Sequence, residues 1–88
     1  MFEISEILGD KFYFENGILH RLDGPAIEFK SGVKYWINMG ELHRENGPAI
    51  VDEKNRVKEY WIRGRRATDE ETKNIKRNYW IDKNDEDK

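Results

Sequence analysis

Two residue pairs in this chain have side chains that could do chemistry. His20 and His43 are its only histidines, and each is followed by an arginine, Arg21 and Arg44. A histidine pair could begin a metal site or exchange protons, but a site needs further ligands or a nucleophile. Cysteine is absent, and the only serines, Ser5 and Ser31, lie away from either histidine. Both histidines belong to a segment rich in turn residues, so a structural role explains their repetition: the imidazole is expected to bond the neighbouring Asp-Gly-Pro or Asn-Gly-Pro turn. Arg21 and Arg44 could hold phosphate, but cross-strand pairing with Glu15, Glu28, Glu41 or Glu45 is the simpler expectation. The glycines form no phosphate-binding loop. The sequence therefore predicts no catalytic residue, no metal site, no cofactor and no enzymatic activity.

A second group combines charge with aromatic rings. Between Lys54 and Arg66, six cations face one carboxylate, Glu59. Residues 1–53 hold 5 Lys/Arg against 10 Asp/Glu, and residues 54–88 hold 11 against 8, so a net charge of −2 conceals an acidic half and a basic half. Tyr60-Trp61 lies inside the basic run and Tyr35-Trp36 precedes it. Adjacent strand residues point to opposite faces, so one member of each pair is expected in the core and the other exposed or half-exposed. Arginines hold phosphates and aromatics stack bases. The candidate binding residues are Trp36, Arg56, Lys58, Trp61, Arg63, Arg65 and Arg66.

The elements that carry these residues repeat. Residues 17–27 and 40–50 match at eight of eleven positions at an offset of 23, as Gly-x-Leu-His-Arg-x-(Asp/Asn)-Gly-Pro-Ala-Ile. An aromatic strand precedes each turn glycine: Phe12-Tyr13-Phe14, Tyr35-Trp36-Ile37 and Tyr60-Trp61-Ile62. Aligning the last two on their Tyr-Trp-Ile makes the second copy two residues longer than the first. Asn16-Gly17 is a strong two-residue hairpin signal. Asn38-Met39-Gly40 and Arg63-Gly64 take the same place, while Asp23-Gly24-Pro25 and Asn46-Gly47-Pro48 form a second kind of turn. Thr68 followed by Glu71 matches a capping box, which starts a C-terminal helix. The fold class predicted is mainly β: a small antiparallel meander of hairpins with one C-terminal α-helix. Residues 1–11 form an opening strand or turn, with Ile7 and Leu8 able to join a helical turn. Residues 12–66 hold two and a half hairpin repeats, residues 68–80 the helix, and residues 82–88 a frayed acidic tail.

Composition sets the bounds. Eighty-eight residues with 39% charged and 36% hydrophobic side chains make one domain with a thin core. The absence of cysteine fits a reducing cytoplasm, and neither a signal peptide nor a membrane span is expected. Short strands with open edges predict self-association, most simply a homodimer.

The repeat, with its aromatic pair before the next glycine, resembles the MORN-like repeats of tailed-phage accessory proteins. That broad group includes bacterial repeat proteins labelled as antitoxins. The segment from Trp61 to Glu71 is similar to the way such phage chains end. The resemblance covers residues 12 to about 75. The departures are the longer second copy and Arg65-Arg66, which replace Ile18-Leu19 and Glu41-Leu42 after the turn glycine. The resemblance implies a binding module that engages or inhibits a host protein, with host defence or toxin–antitoxin components as the analogous targets. The alternative partner is RNA, held around residues 54–66.

Overall fold

A computed structural model describes the backbone of residues 1–86 and the side chains of residues 1–80. Strands β1 (Phe2–Ile7) and β2 (Asp10–Glu15) pair antiparallel over their full length. Leu8 and Gly9 join them with φ of 52° and 91°. Both central residues are left-handed, which matches the twist of a two-residue hairpin. Ile7 therefore ends a strand and Leu8 lies in a β-turn rather than a helical one, because Gly9 takes the second left-handed position without strain.

The next elements are β3 (Ile18–Leu19), β4 (Ile27–Glu28), β5 (Lys34–Tyr35), β6 (Ile37–Asn38) and β7 (Glu41–Leu42). They are followed by β8 (Ile50–Asp52), β9 (Val57–Glu59), β10 (Trp61–Ile62), β11 (Arg65–Arg66) and the helix α1 (Asp69–Glu86). One sheet has the order β1-β2-β4-β5-β8-β9, with β3 paired to β2; β6–β7 and β10–β11 are separate hairpins. The architecture is thus the mainly β antiparallel meander with a C-terminal helix that turn chemistry predicts.

Each later hairpin is captured by the one before it. Met39 N donates to His20 Nδ1 at 2.9 Å, and Gly40 N donates to the Leu19 carbonyl at 2.8 Å. One copy later, Arg63 N donates to His43 Nδ1 at 3.0 Å and Gly64 N to the Leu42 carbonyl at 2.9 Å. A backbone amide can only donate, so each imidazole presents an unprotonated Nδ1. The histidines therefore serve the next hairpin turn, not the Asp-Gly-Pro or Asn-Gly-Pro turn, because the following copy brings its orphan amides within reach.

Arginine and glycine form the second joint. Arg21 Cζ lies 4.0 Å from the Tyr13 ring centre, and its guanidinium donates to the Pro25 carbonyl and to Asp23. Arg44 Cζ lies 3.9 Å from the Trp36 ring centre and donates to the Pro48 carbonyl and to Asn46. A Cβ on Gly24 would sit 3.0 Å from Arg21 Cζ, and one on Gly47 only 2.6 Å from Arg44 Cζ. The guanidinium is layered between a ring and a glycine that leaves room for it. Of the carboxylates expected to pair across strands, Glu28 accepts from Arg21 at 3.3 Å.

The third copy is in a different register from the Tyr-Trp-Ile alignment. His20 N bonds the Tyr13 carbonyl, His43 N the Trp36 carbonyl and Ala67 N the Tyr60 carbonyl. Ile37 and Trp61 both pair across a hairpin, with Leu42 and Arg66. Tyr60 is thus the counterpart of Trp36, and Trp61 of Ile37. The second copy is one residue longer, not two, because hydrogen-bond pairing rather than residue likeness sets the register.

Tyr13, Trp36 and Tyr60 consequently share one face; the amides of Tyr13 and Trp36 donate to the carbonyls of the fully buried Ala26 and Ala49. The opposite face carries Ile27 and Ile37, which cluster with Ala26 and pack with Phe12, Leu19, Phe29, Tyr35 and Leu42. No member of the Tyr35-Trp36 and Tyr60-Trp61 pairs is fully exposed: all four are half-buried, because cations cover the rings that face outward.

The capping box forms as predicted. Thr68 Oγ1 accepts from Glu71 N at 3.2 Å, and Glu71 Oε1 accepts from Thr68 N at 2.9 Å. The helix continues past residue 80 to Glu86, since no glycine or proline interrupts residues 69–86. It takes in most of the segment expected to fray; residues 87–88 of that tail lie outside the described residues.

The layered arginine predicts non-additive stability. Gly47→Ala should cost about 1 kcal/mol by displacing Arg44 from Trp36. In an Arg44→Ala background the same change should cost clearly less, as read by a urea-denaturation double-mutant cycle.

Candidate functional site

The face that carries Tyr13, Trp36 and Tyr60 presents a cross-strand row. Lys34 on β5 lies opposite Val51 on β8, and Val51 lies opposite Lys58 on β9. On its other side Lys34 faces Glu28 on β4. Strand neighbours are about 4.8 Å apart, so the two lysines flank the buried Val51 from either side.

The helix covers one end of this face. Ile75, 3% exposed, is its buried anchor. Lys76 Nζ lies 5.5 Å from the Tyr60 ring centre, and Asn78 Nδ2 donates to the Glu45 carbonyl at 3.1 Å. A groove of about 520 Å³ remains between helix and sheet. Trp36 and Tyr60 line it from the sheet, Lys34 and Lys58 from the strand row, and Lys76 and Trp80 from the helix. Among the described residues Arg44, on its ring, and a single carboxylate, Glu53, complete the charged lining.

Burial disfavours the Arg44 charge and lowers its pKa, only partly offset by Tyr79 and Tyr60. Burial likewise pushes the Tyr60 hydroxyl up. Arg21 is opposed by burial too, yet its pKa is raised because Asp23, Tyr13 and Glu28 outweigh that cost. A more polar cleft of about 570 Å³ lies between the two Gly-Pro turns. Its walls include Arg21, His43 and Arg44, which already hold those turns and the next hairpin.

The structure divides the seven candidate binding residues. Trp36 and Lys58 meet in the groove. Arg56 is exposed in the turn between β8 and β9 with φ of 56°, and Arg63 is exposed at a hairpin tip. Trp61 belongs to the opposite face from Trp36, where its Nε1 donates to Glu59 at 3.1 Å. Arg66 also reaches Glu59, at 3.1 Å, and lies 5.6 Å from the Trp61 ring centre. Arg65 grips Glu71 with two bonds of 2.8 Å, clasping the helix to the last hairpin. Sequence reading did not select Lys34, Lys76, Tyr79 or Trp80. The spacing of Lys76, Tyr79 and Trp80 on one helical stripe is the signal that could have found three of them.

The chain matches no protein-family model, no curated protein and no solved structure. Among the described residues no cluster of three or more metal-ligating side chains occurs, and no helix is long and apolar enough to cross a membrane.

The helix clasp has a definite pH signature. The bonds from Arg65, followed by that from the Thr68 amide, hold the Glu71 carboxyl at about 2, against an ordinary 4.5. A lowered carboxyl pKa contributes stability that is complete above the unfolded value and is lost as pH falls through the folded one. Glu71→Gln should therefore melt below the parent protein near neutral pH. The gap should narrow between pH 4.5 and about 2, as followed by circular dichroism melts.

Proposed function

We propose that this chain is a non-enzymatic binding module, a MORN-like repeat scaffold of the tailed-phage accessory type that engages a host protein in the cytoplasm of the infected cell. The observation that carries this reading is how the reactive side chains are used. His20 and His43 hold the next hairpin through Nδ1, and Arg21 and Arg44 are layered on rings. A scaffold built this way offers surfaces rather than reacting groups. Interference with a host defence or toxin–antitoxin component is the analogous role.

Two surfaces support binding. One is the basic groove. The other is the edge strand β1, where Phe2, Ile4 and Ile7 are exposed and Leu8 at the adjoining turn is 91% exposed. An apolar edge strand is a ready template for pairing with another chain. We assign it to a second copy of this chain, giving a two-fold homodimer. The RNA alternative draws less support, because Trp36 and Trp61 stand on opposite faces and Arg65 and Arg66 are paired with carboxylates.

Two measurements test these readings. Light scattering at high micromolar concentration should give the mass of a dimer, and Ile4→Lys should yield a folded monomer; a parent protein that stays monomeric overturns the dimer. Affinity capture from expressing host cells should recover a stoichiometric protein partner that survives nuclease treatment. Recovery of RNA alone, with affinity falling steeply in salt, would replace the protein reading with the RNA one.

A further inference from the structure

We infer that the groove between α1 and the sheet docks a short, extended acidic segment of a partner protein, with its carboxylates on Lys34, Lys58 and Lys76. This inference rests on the protein-binding reading above and names the chemistry that its groove selects.

Charge is the first ground. Among the described residues four cations and one carboxylate line the groove, in a chain whose net charge is −2. Lys34 and Lys58 make no ion pair among the described residues, whereas Arg21, Arg65 and Arg66 all do. Two unpaired ammonium groups on either side of a buried valine set a positive field over an apolar floor. Extended peptides carry alternate side chains on one face, about 7 Å apart, within the reach of flexible lysines from either strand.

Shape and covering favour a peptide over nucleic acid. Arg44 covers Trp36 at 3.9 Å and Lys76 lies over Tyr60 at 5.5 Å, so those rings do not offer open faces to bases. Glu28 beside Lys34, and Glu53 in the lining, interrupt the positive track that a long polyanion would need. A volume of about 520 Å³ suits a few residues of chain.

The test uses the full chain, labelled with ¹⁵N, and a short synthetic peptide of Asp, Glu and Leu. Titration should move the indole resonances of Trp36 and Trp80 and leave that of Trp61, on the other face, unchanged. Lys34→Glu with Lys58→Glu should weaken binding about tenfold or more while the protein stays folded. Should charge reversal unfold the protein, Lys34→Ala with Lys58→Ala gives the same comparison. Equal movement of Trp61, unchanged affinity of the double variant, or tighter binding of a uridine oligonucleotide of equal charge overturns the inference. A host protein captured equally well by the double variant would sink the groove assignment and leave the binding-module reading intact.

Discussion

The capture of each hairpin turn by the preceding copy is the constraint on which this fold depends. A two-residue turn with both φ angles positive points its amides outward, where they need acceptors. The chain supplies them from the previous copy as a leucine carbonyl and a histidine Nδ1. Such bonds matter here because burial is sparse. Of the described residues Tyr13, Ala26, Ile27, Ile37, Ala49, Val51 and Ile75 form the hydrophobic core, with Pro48 also buried. The repeat motif follows from this arrangement. Histidine accepts, arginine covers a ring and ties down a proline carbonyl, glycine makes room for the guanidinium, and alanine fits a position with no space for more.

The end of the repeat array uses the same positions for a different purpose. By hydrogen-bond register, Ala67 stands where His43 stood, so the third copy offers no imidazole to a further hairpin. The next position, held by Arg44 one copy earlier, is Thr68, which caps the helix. Tyr60 nevertheless keeps a cation over its ring, now Lys76 from the helix. The helix thus takes over the covering role of the missing arginine, and Arg65 with Glu71 ties it down. The same docking opens the groove, so terminating the array and forming this cationic concavity are one structural event.

Charge in the basic run is sorted by this geometry. Arg65 and Arg66 are exposed, yet both are engaged with carboxylates from neighbouring elements. Lys58 was visible in the same run, but its partner in the groove, Lys34, is 24 positions away in sequence and joins it through Val51. The aromatic pairs show the same limit. Matching Tyr35-Trp36-Ile37 to Tyr60-Trp61-Ile62 is the best residue likeness, but it is one position out, and in a strand one position exchanges the faces.

What the sequence by itself determined was local. Turn dipeptides, the repeat, strand alternation and the Thr68–Glu71 cap each depend on contacts within a few residues, and those chemistries specify antiparallel hairpins followed by a helix. Tertiary structure alone decided which ring faces which side, which amide each histidine receives and which lysines share a groove. Those outcomes depend on inter-strand register and on where the helix settles. Both are set by hydrogen bonds and packing between segments distant in the chain, which residue type and spacing do not encode one position at a time.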